Sequence, residues 1–495
     1  MFAVLAPTML GFGLTSMAQP TAWRRAVAPH MQLFDLSSID EKTKAAILAA
    51  EEAKEKEREE AKVAEAVAAW KQLDESLPEL PRREAPVLTL YRDTNGWCPF
   101  CERVWVQLEA KGIPYREELI NLQDKPQWYK DMVPTTLVPA VKFDDDESVI
   151  WESADVMAEL ERRFPAKPLL PAEGSEARQR TDALIEFCPT LLSHGVRMSY
   201  PNASATAEER EASRSNFLSK LDELDGMIAE GGGPFMSGDT FSLADAMFVP
   251  MLERWAVQLP LTTGDILLRP GALTGTPPTA ADAPTPARWP AIERWFVAME
   301  EELPAYSDKV MGDAFSWASL VGTFQRMFSS NATAASDDPE RAAAAAASIR
   351  RSDYAARQTL NLLKAKQLDE FAQAHRVAAA RAVLSNREAV IADALNTEPR
   401  TQTQLKRLDE EDRPLVEGTL REACRRLLGV EDHDDDYMEH AGDAAVVAEA
   451  ARYVASRICA PRDMSAPAAS ALRCSLMGIA AQAEMYAWTA SGGLL

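Results

Sequence analysis

Long apolar runs are missing from this chain. After the first twenty residues no stretch of about 18 apolar residues occurs, the length a membrane-spanning helix requires, so a spanning segment is not expected. Positive charge is also in deficit: 53 Lys and Arg stand against 76 Asp and Glu, a formal net charge of −23. That balance disfavours electrostatically driven binding to nucleic acid or anionic lipid and leaves small substrates open. Cysteine is sparse, with six residues (Cys98, Cys101, Cys188, Cys424, Cys459 and Cys474) in 495. Too few for a disulfide scaffold, they fit a reducing compartment, and only the first two are closely spaced. Acidic residues are absent from residues 1–34, which carry Arg24, Arg25 and His30 behind an apolar start from Met1 to Ala18. This reads as a targeting segment of the bipartite kind used by a plastid of secondary origin, although no charge precedes the apolar run. A plain unstructured N-terminus, with a cytoplasmic protein, is the alternative.

Glycine and proline are absent from residues 37–77, a Glu/Lys/Ala-rich run expected to form one long, solvated helix. Its apolar positions, among them Ile47, Val63, Val67 and Trp70, are too few for a heptad seam, so docking by one end is expected in place of a coiled coil. Pro78, Pro81 and Pro86 make a linker. Residues 86–171 then alternate in period. Val87 to Tyr91 reads as a buried strand, Pro99 to Ala110 as a helix and Tyr115 to Leu122 as a second strand. Val138 to Phe143, Ser148 to Trp151 and a helix from Ser153 to Phe164 follow, which predicts a βαβ unit with a ββα ending. Residues 175–320 are helical in pattern, interrupted from Pro260 to Pro290 by what reads as an inserted surface loop. Ser329 to Pro339 reads as a second linker. Beyond it Arg341–Ala394, Arg413–Leu428, Ala441–Ile458 and Pro467–Trp488 are expected as helices, making 340–495 an additional all-α extension.

The chemistry concentrates in Trp97-Cys98-Pro99-Phe100-Cys101. Cys98 falls where a hydrophobic strand turns into a helix, with Pro99 in the first helical turn. Unpaired N–H groups and the positive end of the helix dipole stabilise a thiolate there, and a thiolate is both nucleophile and leaving group in thiol–disulfide exchange. Cys101 is expected one turn deeper and less exposed. A zinc half-site is the competing reading of this spacing, but it needs a second ligand pair, and no other C-x-x-C occurs.

At this point a family resemblance is legible. The run from Cys98 to Pro171 resembles the N-terminal domain of glutathione transferases, nearest the cysteine-type omega, lambda and dehydroascorbate-reductase classes. Ser237-Gly238-Asp239-Thr240-Phe241-Ser242-Leu243-Ala244-Asp245 resembles that superfamily's helical-domain signature, and Trp289-Pro290-Ala291-Ile292-Glu293-Arg294-Trp295 also recurs there. The resemblance implies a thioredoxin-like α/β domain over 86–171, followed by an all-α transferase domain over 175–320. It implies glutathione as co-substrate and thiol transferase or reductase chemistry on Cys98, and it favours a one-cysteine cycle in which a second glutathione resolves the mixed disulfide; Cys101 is the candidate resolving thiol of the alternative two-cysteine cycle. Val138-Pro139 should be a cis bond that turns the Val138 backbone toward the glutathione cysteinyl backbone. Glu152 and Ser153, at a strand-to-helix junction, should take the γ-glutamyl end, and Phe100 and Lys125 should also touch the tripeptide. Ser242 and Asp245 form a capping box with a structural job. Pro134-Thr135-Thr136-Leu137 stands where many relatives carry a glycine. In the extension, Leu384–Val390 and Arg457–Met464 resemble segments of transferase-like proteins with long C-termini from cyanobacteria and photosynthetic eukaryotes, and no catalytic residue is expected there. His433, Asp434, Asp435, Asp436, Glu439 and His440 read as a solvated acidic loop, so no metal site is expected, and His194 as a core or pocket-wall histidine. A homodimer or docking into a larger complex is the partner expectation, and the rival reading is a non-catalytic transferase-fold structural or assembly subunit that docks through its N-terminal helix and extension.

Overall fold

The structure is a computed structural model that describes residues 40–80, 84–199, 205–273, 287–332, 339–395, 408–430 and 441–490. Residues 1–34, read above as a targeting segment, residues 274–286 of the inserted loop, residues 333–338 of the second linker and the run from His433 to His440 lie outside the described residues. Among the described residues no helix is long and apolar enough to cross a membrane.

Two bodies are distinguished, one ending at Glu75 and the other running from Ser76 onward. The first holds α1, Glu41–Glu75, a single helix as its composition requires. Asp40 starts it, its Oδ1 accepting the backbone N–H groups of Lys42 and Thr43 at 3.0 Å each. Exposed i,i+4 pairs such as Lys56–Glu60 and Lys71–Glu75 line its surface, each contributing at most a few tenths of a kcal/mol.

The second body opens with β1 (Leu88–Asp93), α2 (Pro99–Lys111), β2 (Tyr115–Ile120), α3 (Gln127–Met132), β3 (Ala140–Phe143), β4 (Val149–Trp151) and α4 (Ser153–Arg163). The sheet order is β2-β1-β3-β4. β1 runs parallel to β2, with Leu88 opposite Tyr115, and antiparallel to β3, with Leu88 opposite Phe143. This is the expected thioredoxin-like arrangement. It brings the C-terminal end of β1 beside the N-terminal end of β3, so the thiol-bearing turn after β1 faces the chain entering β3. Helix α2 stops at Gly112, which takes the left-handed φ of 67° that a side chain would resist.

Helices α5 (Glu176–Ser199), α6 (Ala207–Gly231), α7 (Leu243–Thr262), α8 (Pro290–Glu301) and the short α9 (Pro304–Ser307) form the second part. One core spans the sheet and these helices, with Trp255, Trp289 and Trp295 fully buried. Asp245 is a structural cap, as expected. Its Oδ2 accepts the N–H and the hydroxyl of Ser242 at 2.7 Å each, while Oδ1 accepts Met236 N–H at 2.9 Å and the Trp295 indole at 2.8 Å.

Two readings of helix boundaries change. The presumed surface loop from Pro260 does not begin there: α7 runs on to Thr262, and Ile266 and Leu268 are buried in the main core. Arg269 then joins Glu300 of α8, with Nη2 to Oε2 at 2.8 Å. The stretch read as one helix from Arg341 to Ala394 is two, α11 (Pro339–Lys364) and α12 (Gln373–Leu395), although no Gly or Pro separates them. A tertiary contact and a local cap break it instead: Lys366 O accepts from Cys474 Sγ at 3.4 Å, and Gln367 N–H donates to Glu370 at 2.6 Å.

The remaining helices are α10 (Ala314–Ala332), α13 (Arg413–Leu428), α14 (Ala441–Arg457) and α15 (Ala466–Ala490). α11 packs on α7, α10 and α15, and a second core of Val257, Leu261, Trp317, Ala318, Leu320, Val321 and Ala355 seals that junction. The extension is therefore packed into the same body as the domain before it. Arg473 is its internal fastener. Fully buried, it pairs with Asp313, stacks 4.3 Å above the Phe315 ring and donates to Ile458 O at 2.7 Å.

Candidate functional site

Cys98 is the N-cap of α2 and is half-buried, whereas Cys101, one turn in, is 2% exposed. Both placements follow the sequence expectation. The Cys98 sulfur lies 3.9 Å from the carbonyl oxygen of Val138, across the turn from a Val138-Pro139 bond that is cis, as expected.

The thiol of Cys98 is held below the ordinary cysteine range. A hydrogen bond from the Cys101 side chain contributes most; burial and the charge of Asp93 oppose it, and the backbone N–H groups of Cys101 and Phe100 add smaller support. The helix N-terminus thus plays its expected part, but the neighbouring thiol does more. Cys101 itself is pushed well above the ordinary range by burial and by Cys98. The pair is therefore unequal: the outward thiol ionises more readily than a free cysteine, and the one behind it holds its proton more tightly.

Asp93, the last residue of β1, is buried beside the pair. Its Oδ2 accepts the Trp97 N–H at 2.8 Å, and a carboxylate oxygen and the two sulfurs all lie within 4.8 Å of one another. Among the described residues no fourth His, Cys or acid joins them, so the four-ligand set of a structural zinc site is not built.

The loop before the cis proline is held from beneath. Lys125 Nζ donates to Thr136 O at 2.7 Å and the Tyr129 hydroxyl to Leu137 O at 2.6 Å. Thr136 has φ 56°, the left-handed region that favours glycine, and a residue with a Cβ there costs about 1 kcal/mol. Within Pro134-Thr135-Thr136-Leu137, Thr136 thus takes a backbone conformation that glycine adopts most readily. Lys125 has a partner in the loop itself, so its contribution to the site includes shaping that loop.

Glu152 is the N-cap of α4 and also has positive φ, 71°. Its side chain is exposed and makes no cap hydrogen bond, while its carbonyl accepts the Val156 N–H at 3.0 Å; backbone strain of this kind gathers at ligand-holding positions. Ser153 follows, buried at the first turn. Phe100 is exposed at the start of α2, with the Arg103 guanidinium 5.2 Å from its ring. His194 sits half-buried in α5 and has no part in this group.

Sequence reasoning missed what lies behind Cys98. From α7, Arg254 donates to Trp97 O at 2.9 Å and to Glu102 at 2.6 Å, and stacks 4.5 Å from the Trp317 ring. Glu253 accepts the Trp317 indole at 2.6 Å, the Gly312 N–H at 2.9 Å and the Tyr306 hydroxyl at 2.5 Å. Burial and the nearby Glu102 nevertheless push it up to about 8. A charged Glu-Arg pair inside the apolar run Phe248 to Leu261 was the available signal.

The extension also reaches the site. Gly96, at φ 67°, would place a side-chain carbon 3.4 Å from Pro461 Cγ and 3.6 Å from Arg462 N. The Trp97 indole meets the Cys459 sulfur and its ring packs edge-on against Phe324 at 6.1 Å. The loop carrying Cys459 is pinned by Ala460 N–H to Ser316 Oγ at 2.9 Å and by Asp463 N–H to Cys459 O at 2.9 Å. Residues 459–463 therefore belong to the immediate surroundings of the thiol-bearing turn, which the expectation of a chemically uninvolved extension did not include.

Comparison with known proteins fits this geometry. Residues 97–163 match the glutathione S-transferase N-terminal domain and residues 207–298 the glutathione S-transferase C-terminal domain. Pyrimidodiazepine synthase of Drosophila melanogaster is 31% identical over 180 residues, 36% of this chain and 68% of that protein. The chain belongs to the glutathione transferase superfamily. Among other relatives of this transferase, the probable glutathione S-transferase DHAR4 of Arabidopsis thaliana is 28% identical over 163 residues, 32% of this chain and 68% of that one. The solved dehydroascorbate reductase of Chlamydomonas reinhardtii is 22% identical, covering 44% of this chain and 90% of that chain, with a TM-score of 0.35. The family matches stop at residue 298, so the extension of this transferase lies outside them.

Proposed function

We propose that this transferase is a glutathione-dependent thiol transferase or reductase of the cysteine type, with Cys98 as the nucleophile. The observation that carries the reading is the half-buried, low-range Cys98 thiol at a helix N-terminus facing the cis Val138-Pro139 bond. The Cys98 thiolate attacks the glutathionyl sulfur of a mixed disulfide. A Cys98–glutathione disulfide forms and the substrate thiolate leaves; glutathione then attacks the glutathionyl sulfur, restoring Cys98 and giving glutathione disulfide. Bound glutathione lies along the Val138 backbone, with its γ-glutamyl end at Glu152 and Ser153. Conjugation to electrophiles is disfavoured, because a thiolate at the site exchanges with a glutathione-containing disulfide and offers no hydroxyl to hydrogen-bond and activate the sulfur of reduced glutathione. A dehydroascorbate-type oxidant is the alternative electron acceptor.

The test is turnover of a small glutathionylated thiol in an assay coupled to glutathione reductase. Cys98→Ser should abolish it, since an alcohol neither ionises near neutral pH nor serves as a leaving group in exchange. Circular dichroism should show a folded variant. Retained activity in Cys98→Ser would remove this assignment.

A further inference from the structure

Asp93 is buried at the end of β1, and its two carboxylate oxygens are treated unequally. Oδ2 accepts the Trp97 N–H at 2.8 Å, whereas Oδ1 is buried with no hydrogen-bond partner. Leaving a buried acceptor unpaired is costly, and more so for a charged group. Holding Trp97 needs only one oxygen, and an amide would serve. What the carboxylate adds is a basic oxygen in a group where it and both sulfurs lie within 4.8 Å of one another.

The state of Cys101 changes during the cycle set out above. In the reduced protein its thiol hydrogen-bonds to the Cys98 thiolate. Once the Cys98 sulfur is tied up in a disulfide with glutathione, that acceptor is gone, and the basic atom left beside the Cys101 thiol is the carboxylate of Asp93. The Cys101 sulfur is then next to the Cys98 sulfur it would attack, while burial shields it from other disulfides.

We propose that the transferase runs a two-thiol cycle in which Asp93 takes the proton of Cys101, and Cys101 displaces glutathione from Cys98 to leave an internal Cys98–Cys101 disulfide. This rests on Cys98 being the thiol that accepts the glutathionyl group. The step balances as written. The Cys101 proton passes to the Asp93 carboxylate, a Cys101–Cys98 sulfur bond forms, the Cys98–glutathione sulfur bond breaks and glutathione leaves as its thiolate. Two molecules of reduced glutathione regenerate the dithiol, the first reopening the mixed disulfide at Cys98 and the second releasing glutathione disulfide. The same dithiol gives the protein a further activity: reduction of a disulfide that contains no glutathione, with both electrons supplied by the cysteine pair.

The experiment mixes the full-length reduced protein with glutathione disulfide and quenches with acid at intervals for intact-mass analysis and peptide mapping. Wild type should gain one glutathionyl group on Cys98, then convert to a species lighter than the reduced protein by two hydrogens. Cys101→Ala should stop at the adduct. Asp93→Asn, which keeps an oxygen for Trp97, should form the adduct at least as fast, because a negative charge beside Cys98 is removed, and close it about 10²-fold more slowly. Asp93→Glu, which keeps the carboxylate, should close faster than Asp93→Asn and serves as the second variant if the amide disturbs folding. A wild-type adduct that persists overturns the inference while leaving Cys98 in place. Failure to form any adduct on Cys98 overturns the proposed function as well, and closure in Asp93→Asn at the wild-type rate removes Asp93 from the mechanism.

Discussion

Cys98 and Cys101 are three residues apart, yet the same burial acts on them with opposite results. Desolvation raises both thiols; only Cys98 receives a hydrogen-bond donor strong enough to outweigh it, and that donor is Cys101. Removing the donor has a defined sign. In Cys101→Ala the Cys98 thiol should titrate at higher pH, so less thiolate is present at neutral pH and alkylation by iodoacetamide should slow severalfold there. At high pH, where both proteins are fully ionised, the two rates should converge. Thiolate absorbance followed across pH checks this, and an unshifted profile would show that the backbone N–H groups alone set the thiolate. Thr136 and Glu152 tell a related story of local cost accepted for placement. Each holds a left-handed φ without being glycine, and they bracket β3 and β4, where the chain turns its backbone toward the face that carries Cys98.

At the scale of elements, α7 makes the connections that the primary sequence only hints at. Its Glu253 and Arg254 face three different segments, and with Glu102 they place two acids around one guanidinium in a buried setting. Glu253, at about 8 against 4.5 for a free side chain, keeps its proton in the folded protein at pH values where the unfolded chain has lost it. Its contribution to stability is therefore fully present below about pH 4.5, declines as pH rises toward 8 and is flat above that. Urea denaturation across this range should show a shallower decline for Glu253→Gln than for wild type, and parallel profiles would show that Glu253 is already ionised. The strands, α2 and its capping residues, the cis bond and the Asp245 cap were legible in the sequence, because period, turn chemistry and short-range caps act within a few residues. The α11–α12 break was not, since it is imposed by Cys474 and a Gln367–Glu370 contact inside a run of good helix formers. Nor was the burial of Ile266 and Leu268, hidden among Pro, Thr and Gly. Asp93 was visible as an acid ending an apolar strand, but its meaning depends on the two sulfurs packed beside it.

In the whole molecule, the domain ending near residue 320 and the extension beyond it are not separable in the way their sequences imply. A cut at 320 would fall inside α10 and expose Val257, Leu261, Trp317 and Ala318, which pack in one core with Val321 and, from the extension, Ala355. It would also remove Arg473 from Asp313 and Pro461 from Gly96. The fragment 84–320, which spans the two transferase domains, should bind the hydrophobic dye ANS and melt well below the full-length protein. A chain cut after Ala332 should lose at least about tenfold in turnover, because displacement of a catalytic group by an ångström is enough for such an effect. Wild-type turnover in either truncated protein would show that the extension only rests on the site. The seating of Pro461 and Arg462 against Gly96 also has a consequence during synthesis. Ribosomes add ~5–20 residues per second, so the turn bearing Cys98 emerges on the order of tens of seconds before the segment that packs on it. A nascent chain carries Cys98 without the segment that packs on its turn, and that turn is finished, in the literal order of assembly, by residues made more than 350 positions later.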